Sequence, residues 1–354
     1  MKSNLSAGFD NKRLVWLDIA KGIGILLVVL GHCLHINEKY FQLIFVFHMP
    51  LFFALSGYVF KGSDSFWLFL KKKAKTLLLP FLGFFLLGLI VTLLVPVWKQ
   101  GLSLAGLKND LWLADPNAVH NSSIWYLVCL FFVALLFYFI SKLPAPVQFL
   151  CLLLSYVLGI RYSRQPFVFM GYARLPLNFD VLPVAVVFYA LGHYAKTSNA
   201  IALLSQKRWI AFLTAILGSV GVYILWKKNG YVNLHGLNFG ASEMYLLGGC
   251  AGTLAVVGIS SWISEIRCNA FRWLKLVLAW YGRHSLTILG LQSLLIRLYI
   301  IAMAKFFGIS LHLYQFPMQH TLLCTGLVAF VICPAVCLLF DFMKHLKIRK
   351  KHNV

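Results

Sequence analysis

Between Leu17 and Leu34 the chain reads LDIAKGIGILLVVLGHCL, an apolar run whose ionisable side chains are Asp18, Lys21 and His32. Each is costly in hydrocarbon, and such residues are by default candidates for function that face the interior of a bundle. At about 100° and about 1.5 Å per residue, an offset of eleven brings His32 within ~20° of Lys21 and ~16 Å farther along the helix. The two share one face, the lysine near one end and the imidazole deep. Asp18, three residues before Lys21, is spaced to pair with it and hold its orientation. A neutral imidazole takes a proton from a hydroxyl and later returns it, which is the chemistry this arrangement suits.

A second run, FHMPLFFALSGYVF, places His48, Pro50, Ser56 and Gly57 in an otherwise apolar segment. Proline frees a backbone carbonyl and bends a helix, so a polar pocket is expected to open there. Histidines on adjacent antiparallel helices make a candidate acid/base site. Each residue has a plainer reading beside the functional one. Lys21 fits a snorkelling anchor, Asp18 a helix-terminus partner, and His32 and His48 fit core histidines satisfied by hydrogen bonds. His32 and His35 lie on one face, but no further ligand stands at the spacing a metal requires.

The elements that must position these groups follow from composition. Of 354 residues, 60% are hydrophobic and 12% charged, against about 45–50% and about 25% in soluble domains. Apolar runs of about 20 residues, enough to cross a hydrocarbon core of about 30 Å, recur along the chain. The expected fold is all-α, a polytopic integral membrane helical bundle of about ten transmembrane helices, because a helix satisfies its own backbone and barrel alternation is absent. The spans are placed at 19–36, 42–60, 77–97, 124–141, 146–160, 178–195, 209–226, 244–262, 281–303 and 320–341. The first apolar segment lacks a small-residue cleavage site and reads as a retained helix.

The net charge of +22 is an orientation signal and not a nucleic-acid footprint. With a cytoplasmic amino terminus, 21 Lys and Arg fall on the inside, nine fall on the outside, and Lys21 and Arg297 lie within helices. Both termini are therefore expected in the cytoplasm. The longer outside loops carry Trp112, His120, Arg161, Arg164, Arg174, His235 and His312, a candidate polar roof over an outward pocket. KKKAK at 71–75 is a basic cluster on the inner side, and 263–280 reads as an interfacial helix. The cysteines other than Cys268 lie in apolar runs without a CxxC pair and read as small buried hydrophobes. No linker, low-complexity tract or internal repeat divides the chain. It is expected to be one membrane domain over 1–354, with short basic tails at 1–18 and 342–354.

The pairing of KGIGILLVVLGH with FHMPLFFALSGYVF resembles the membrane acyltransferase 3 family, especially its fucose 4-O-acetylase-like branch. The family has a basic residue, ten others and a histidine in its first membrane helix, and Lys21 and His32 fit that spacing. The resemblance implies that His32 is the catalytic histidine and Lys21 its partner. The resemblance also implies a basic pair at the start of the third helix that engages acyl-CoA phosphates, and Lys72 and Lys75 stand there, with Lys71 and Lys73 beside them. Lysine lacks the bidentate fork of the arginines usual at this place. Weaker likeness runs through SSIWYLVCLF at 122–131, 175–196 and YGRHSLTILGLQ at 281–292, and it makes Trp125, Asn178 and Ser285 pocket candidates. His284 and Gln292 depart from the usual pattern.

The resemblance implies transfer of an acyl group, most often acetyl, from cytoplasmic acetyl-CoA to a hydroxyl of a glycan or lipid-linked sugar. This is O-acetylation of the kind used in polysaccharide modification at a cell inner membrane. Neither a metal nor nucleic acid is expected. Two rivals stand beside it. A transporter or flippase for a polar lipid or sugar would use the intramembrane charges as a pathway. A receptor or scaffold would leave Lys21, His32 and His48 without a shared purpose.

Overall fold

An unbroken helix runs from Val15 to Cys33 (α1), without proline, and ends where Leu34 turns to an extended backbone of φ −70° and ψ 151°. α1 returns through α2 (Lys39–Tyr58), which carries Pro50 inside it. The computed structural model describes residues 14–34, 39–62, 65–172, 174–201, 204, 207–266, 269–312, 316–339 and 341–342. His35, Arg267, Cys268 and most of both basic tails lie outside the described residues.

The remaining spans are α3 (Phe66–Leu94), α4 (Ser122–Ile140), α5 (Ala145–Arg164), α6 (Pro176–Thr197), α7 (Arg208–Asn229) and α8 (Ser242–Ser264). An amphipathic helix, α9 (Asn269–Arg283), precedes α10 (Ser285–Phe307) and α11 (Met318–Leu339). All elements are helical among the described residues, apart from two isolated bridges in loops. Ten of the helices are long and apolar enough to cross a membrane, at the ten places expected from hydropathy.

α3 differs from expectation in an informative way. It begins eleven residues before the expected Leu77, and Ala74–Leu78 is a π-helical turn immediately before Pro80. Pro80 has no N–H to offer the carbonyl four residues back and its ring crowds that turn, so the ladder widens and Leu79 N–H reaches Ala74 O. Thr76 Oγ1 donates to the carbonyls of Lys72 at 2.9 Å and Lys73 at 3.3 Å. A second π-helical turn, Gly326–Ile332, likewise runs up to a proline, Pro334.

Small residues bring the helices together, as expected where lipid offers little hydrophobic drive for helix association. A Cβ on Gly22 would stand 2.0 Å from the Leu278 carbonyl oxygen, and one on Gly282 would stand 1.7 Å from that of Asp18, so α1 and α9 touch through backbone. Gly57 and Gly192 do the same for α2 and α6, each facing a carbonyl at 1.8 Å. α1 also packs on α2, α8, α10 and α11. Burial follows this plan: α4 is 78% buried and α1 and α2 61%, whereas α5 is 17% buried and rims the bundle. The residues singled out in the first two helices therefore sit at its centre.

Candidate active site

A cavity of about 440 Å³ runs along α1 inside the bundle. At the end nearest the start of α1 its walls are Lys21, Thr76, Leu77 and Ser285. Its middle is lined by Ile25, Val28, Met49, Phe52, Leu127, Leu130, Leu286 and Leu289, with Ser56 and Tyr126 as the polar pair among them. Farther along come His32, His48 and Arg297, and the opposite end is closed by Asp115, Asn117, Ser122, Ser123, Trp125, Asn233 and His235. From Ser285 to Arg297 on α10 is twelve residues, or ~18 Å of rise, so the cavity covers more than half of a hydrocarbon core of about 30 Å.

The two histidines flank Phe45, whose ring centre lies 6.5 Å from that of His32 and 4.6 Å from that of His48. His48 Nδ1 lies 3.0 Å from the Ile44 carbonyl one turn earlier in the same helix. A carbonyl can only accept, so Nδ1 carries the proton and Nε2 keeps its lone pair. His48 is thus held as the tautomer that can accept a proton at Nε2. Ser56 Oγ and Tyr126 Oη are 3.3 Å apart, joining α2 to α4 across the apolar middle. The guanidinium of Arg297 is within electrostatic reach of His32, Asp115 and His120.

The far end is built on a carboxylate. Asp110, 1% exposed, accepts the N–H groups of Asn117, Ala118 and Val119 at 2.9–3.3 Å, which folds residues 114–121 into a fixed loop. Ala114 and His120 take left-handed backbone at φ 52° and 57°. Asp115 Oδ2 accepts Asn117 Nδ2 at 2.8 Å and lies 3.4 Å from His235 Nε2, while the His235 ring stacks on Trp125 at 4.4 Å. Burial pushes the Asp115 carboxyl up to about 6, and burial and then the Arg174 charge push the His235 imidazole down to about 3. Near neutral pH the pair is therefore carboxylate against neutral imidazole. Burial and then the Arg297 charge bring His120 down to about 4.

The structure draws Lys21, His32, His48, Ser56, Trp125 and Ser285 around one cavity. Asp18 is 8% exposed and does not line it. Asn178, expected in the pocket, sits elsewhere: its Nδ2 donates to Leu113 O at 2.8 Å, tying the start of α6 to the end of the short helix Leu104–Leu113. Lys71, Lys72 and Lys75 are exposed. Lys73 is the lysine of that cluster turned inward; its ammonium lies 5.5 Å from the Phe69 ring centre and within electrostatic reach of Lys21.

Asp115, Asn117, Tyr126 and Arg297 were not among the expected site residues. A signal existed for Asp115, since Asp and Glu together number ten in the whole chain. An acidic side chain is so scarce here that each one merits a reason. Arg297, an arginine inside a span, carried the same signal as Lys21. Among the described residues no group of three or more His, Cys, Asp or Glu side chains converges as a metal site would need. None of the seven described cysteines is in a disulfide.

Comparison with known proteins places this geometry. A family model described as an acyltransferase domain matches residues 14–339. Nodulation protein NolL of Sinorhizobium fredii is 39% identical over 94 residues, which is 23% of this chain and 25% of that protein. NolL of Mesorhizobium japonicum gives the same identity over the same length. Succinoglycan biosynthesis protein ExoH of Rhizobium meliloti is 32% identical over 163 residues, 42% of this chain and 40% of that protein. The chain thus matches less than half the length of each of these relatives. No solved structure matches it. A family model that spans nearly all the described residues, on a ten-span bundle with the basic residue and histidine of α1 on one cavity wall, leads to one conclusion: the chain is a multi-pass membrane protein of the acyltransferase 3 family.

Proposed function

We propose that this protein is a membrane O-acyltransferase that moves an acetyl group from cytoplasmic acetyl-CoA to a hydroxyl of a cell-surface glycan or lipid-linked sugar. One observation carries the reading: a single cavity passes the α1 histidine, with the Lys21 ammonium at one end and a hydrogen-bonding loop cluster at the other. The balance of basic residues assigns the Lys21 end to the cytoplasm. The walls suit an acyl thioester there. Lys21 on the wall, with Lys73 off the wall but within electrostatic reach of it, supplies positive charge for phosphates, and the apolar middle accommodates an uncharged arm. The name of ExoH, a succinoglycan biosynthesis protein, agrees with an acceptor of saccharide type.

The chemistry needs one base and one oxyanion partner. The acceptor hydroxyl oxygen attacks the thioester carbonyl carbon while an imidazole nitrogen of His32 takes its proton. Collapse of the tetrahedral adduct breaks the carbon–sulfur bond, and the departing thiolate recovers that proton from the imidazolium, leaving an O-acyl ester and free thiol. His48, which lines the cavity with its Nε2 lone pair left available by the Nδ1–Ile44 bond, and the Ser56–Tyr126 pair serve as hydrogen-bonding neighbours of the reacting groups.

The test is reconstitution of the full chain in liposomes with radiolabelled acetyl-CoA and a deacylated surface glycan. Wild type should label the glycan, and His32→Ala should insert normally yet lose at least ~100-fold in rate, the lower end of what a general base contributes. Full activity in His32→Ala would remove that residue from the chemistry. Movement of glycan without any need for acetyl-CoA would replace the enzyme by a transporter.

A further inference from the structure

The loop end of the cavity holds a second feature that the transfer chemistry does not use. Asp110 already folds the loop through its bonds to backbone N–H groups, so Asp115 is not needed for that purpose. Yet Asp115 is 7% exposed, lines the cavity, and leaves its Oδ1 buried with no hydrogen-bond partner. A buried carboxylate oxygen without a donor is costly unless something outside the chain supplies one. The surrounding wall tells which donors fit. Trp125 gives an apolar flank, stacked on His235 and so fixed in place, and Asn117 and Asn233 add side-chain amides.

Resting on the acyltransferase reading above, we infer that Asp115 is the acceptor-recognition residue, its carboxylate accepting hydrogen bonds from ring hydroxyls of an uncharged sugar held against Trp125. A carboxylate takes hydrogen-bond donors only, and hydroxyls are donors. A carboxylate- or phosphate-bearing ring placed at the same spot would meet like charge, so the subsite selects uncharged sugars. Arg297, which lines the same cavity within electrostatic reach of both Asp115 and His32, balances the buried negative charge without removing the need for a donor at Oδ1. The acceptor's reacting hydroxyl then points along the cavity toward His32, because the subsite occupies the end beyond that residue.

The experiment uses the full chain in liposomes, radiolabelled acetyl-CoA, and a panel of methyl hexopyranosides with their monodeoxy analogues. In wild type, removal of the hydroxyl that Asp115 holds should lower kcat/KM by about 10- to 150-fold, the range of a hydrogen bond to a charged group. In Asp115→Asn that discrimination should collapse toward unity, with the acceptor KM raised, and Asp115→Glu should recover part of it. Both acceptors are read on one preparation, so loss of folded protein cancels in the ratio. Wild-type indifference to every deoxy analogue would overturn the inference without any variant, and undiminished discrimination in Asp115→Asn would do the same. Transfer with unchanged discrimination sinks only the Asp115 assignment. Absence of transfer to any pyranoside sinks the sugar-acceptor reading with it.

Discussion

Replacement of Lys73 by alanine should weaken the donor more than replacement of Lys72 and Lys75 together. The π-helical turn before Pro80 is the reason. One extra residue in that turn rotates everything ahead of it by about 100° relative to a regular helix, and the lysine left facing the bundle is Lys73, partly buried beside Lys21. A charge-assisted hydrogen bond to phosphate at a partly buried site contributes about 1.5–3 kcal/mol, which is about 10- to 150-fold in affinity at about 1.36 kcal/mol per decade. Exposed cations such as Lys72 and Lys75 are screened by water and salt, and each should change affinity by less than about fivefold. The assay is the KM for acetyl-CoA in liposomes at fixed acceptor, repeated at two ionic strengths. Lys73→Ala should raise KM by at least tenfold with weak salt dependence, and Lys72→Ala/Lys75→Ala should show a small effect that vanishes in high salt. Pro80→Ala, which lets a regular helix re-form, should resemble Lys73→Ala. A larger KM change in the Lys72/Lys75 variant would refute the assignment of the inward lysine and the account of the π-helical turn.

Three further outcomes follow from the geometry. Acceptor KM should rise as pH falls through about 6, where Asp115 becomes protonated; Asp110, Arg174, Arg297 and His235 are the charged and titratable groups around it, and a flat acceptor KM between pH 5 and 7.5 would contradict this. Burial that lifts Asp115 from 3.8 to about 6 makes its ionised form unfavourable to the fold by up to about 3 kcal/mol. Stability from this group is full below pH 3.8 and lost as pH rises through about 6, so at pH 7.5 Asp115→Asn should melt no lower than wild type while binding acceptor worse. At the α2–α6 seam, Gly57→Val and Gly192→Val should each lower the thermal unfolding temperature in detergent, because the new Cβ meets a carbonyl at 1.8 Å and overpacking costs about 1–3 kcal/mol or more. Gly83→Ala, which meets nothing within 4 Å, should be neutral or stabilising, and equal damage at all three glycines would show the seam to be unimportant.

What the order of residues determined by itself is whatever depends on a single helix. The ten spans were legible because a membrane helix closes its own hydrogen bonds and must be long and apolar whatever surrounds it. The common stripe of Lys21 and His32 was legible because an eleven-residue offset is a property of one helix, and the same holds for the amphipathic face of α9. Tertiary structure decided which of these faces meet. Asp115 and His235 are separated by 120 positions yet touch at 3.4 Å, and they reach the cavity only because Asp110 and the Asn233–Asn238 turn fold two loops over it. Asn178 was a pocket candidate through the family likeness of residues 175–196, and the fold uses its amide to hold the Leu113 carbonyl instead. Lys73 rather than Lys72 faces inward because a helix's phase is set by its accumulated turns, and the widened turn before Pro80 changes that phase in a way that spacing counted on a regular helix does not register.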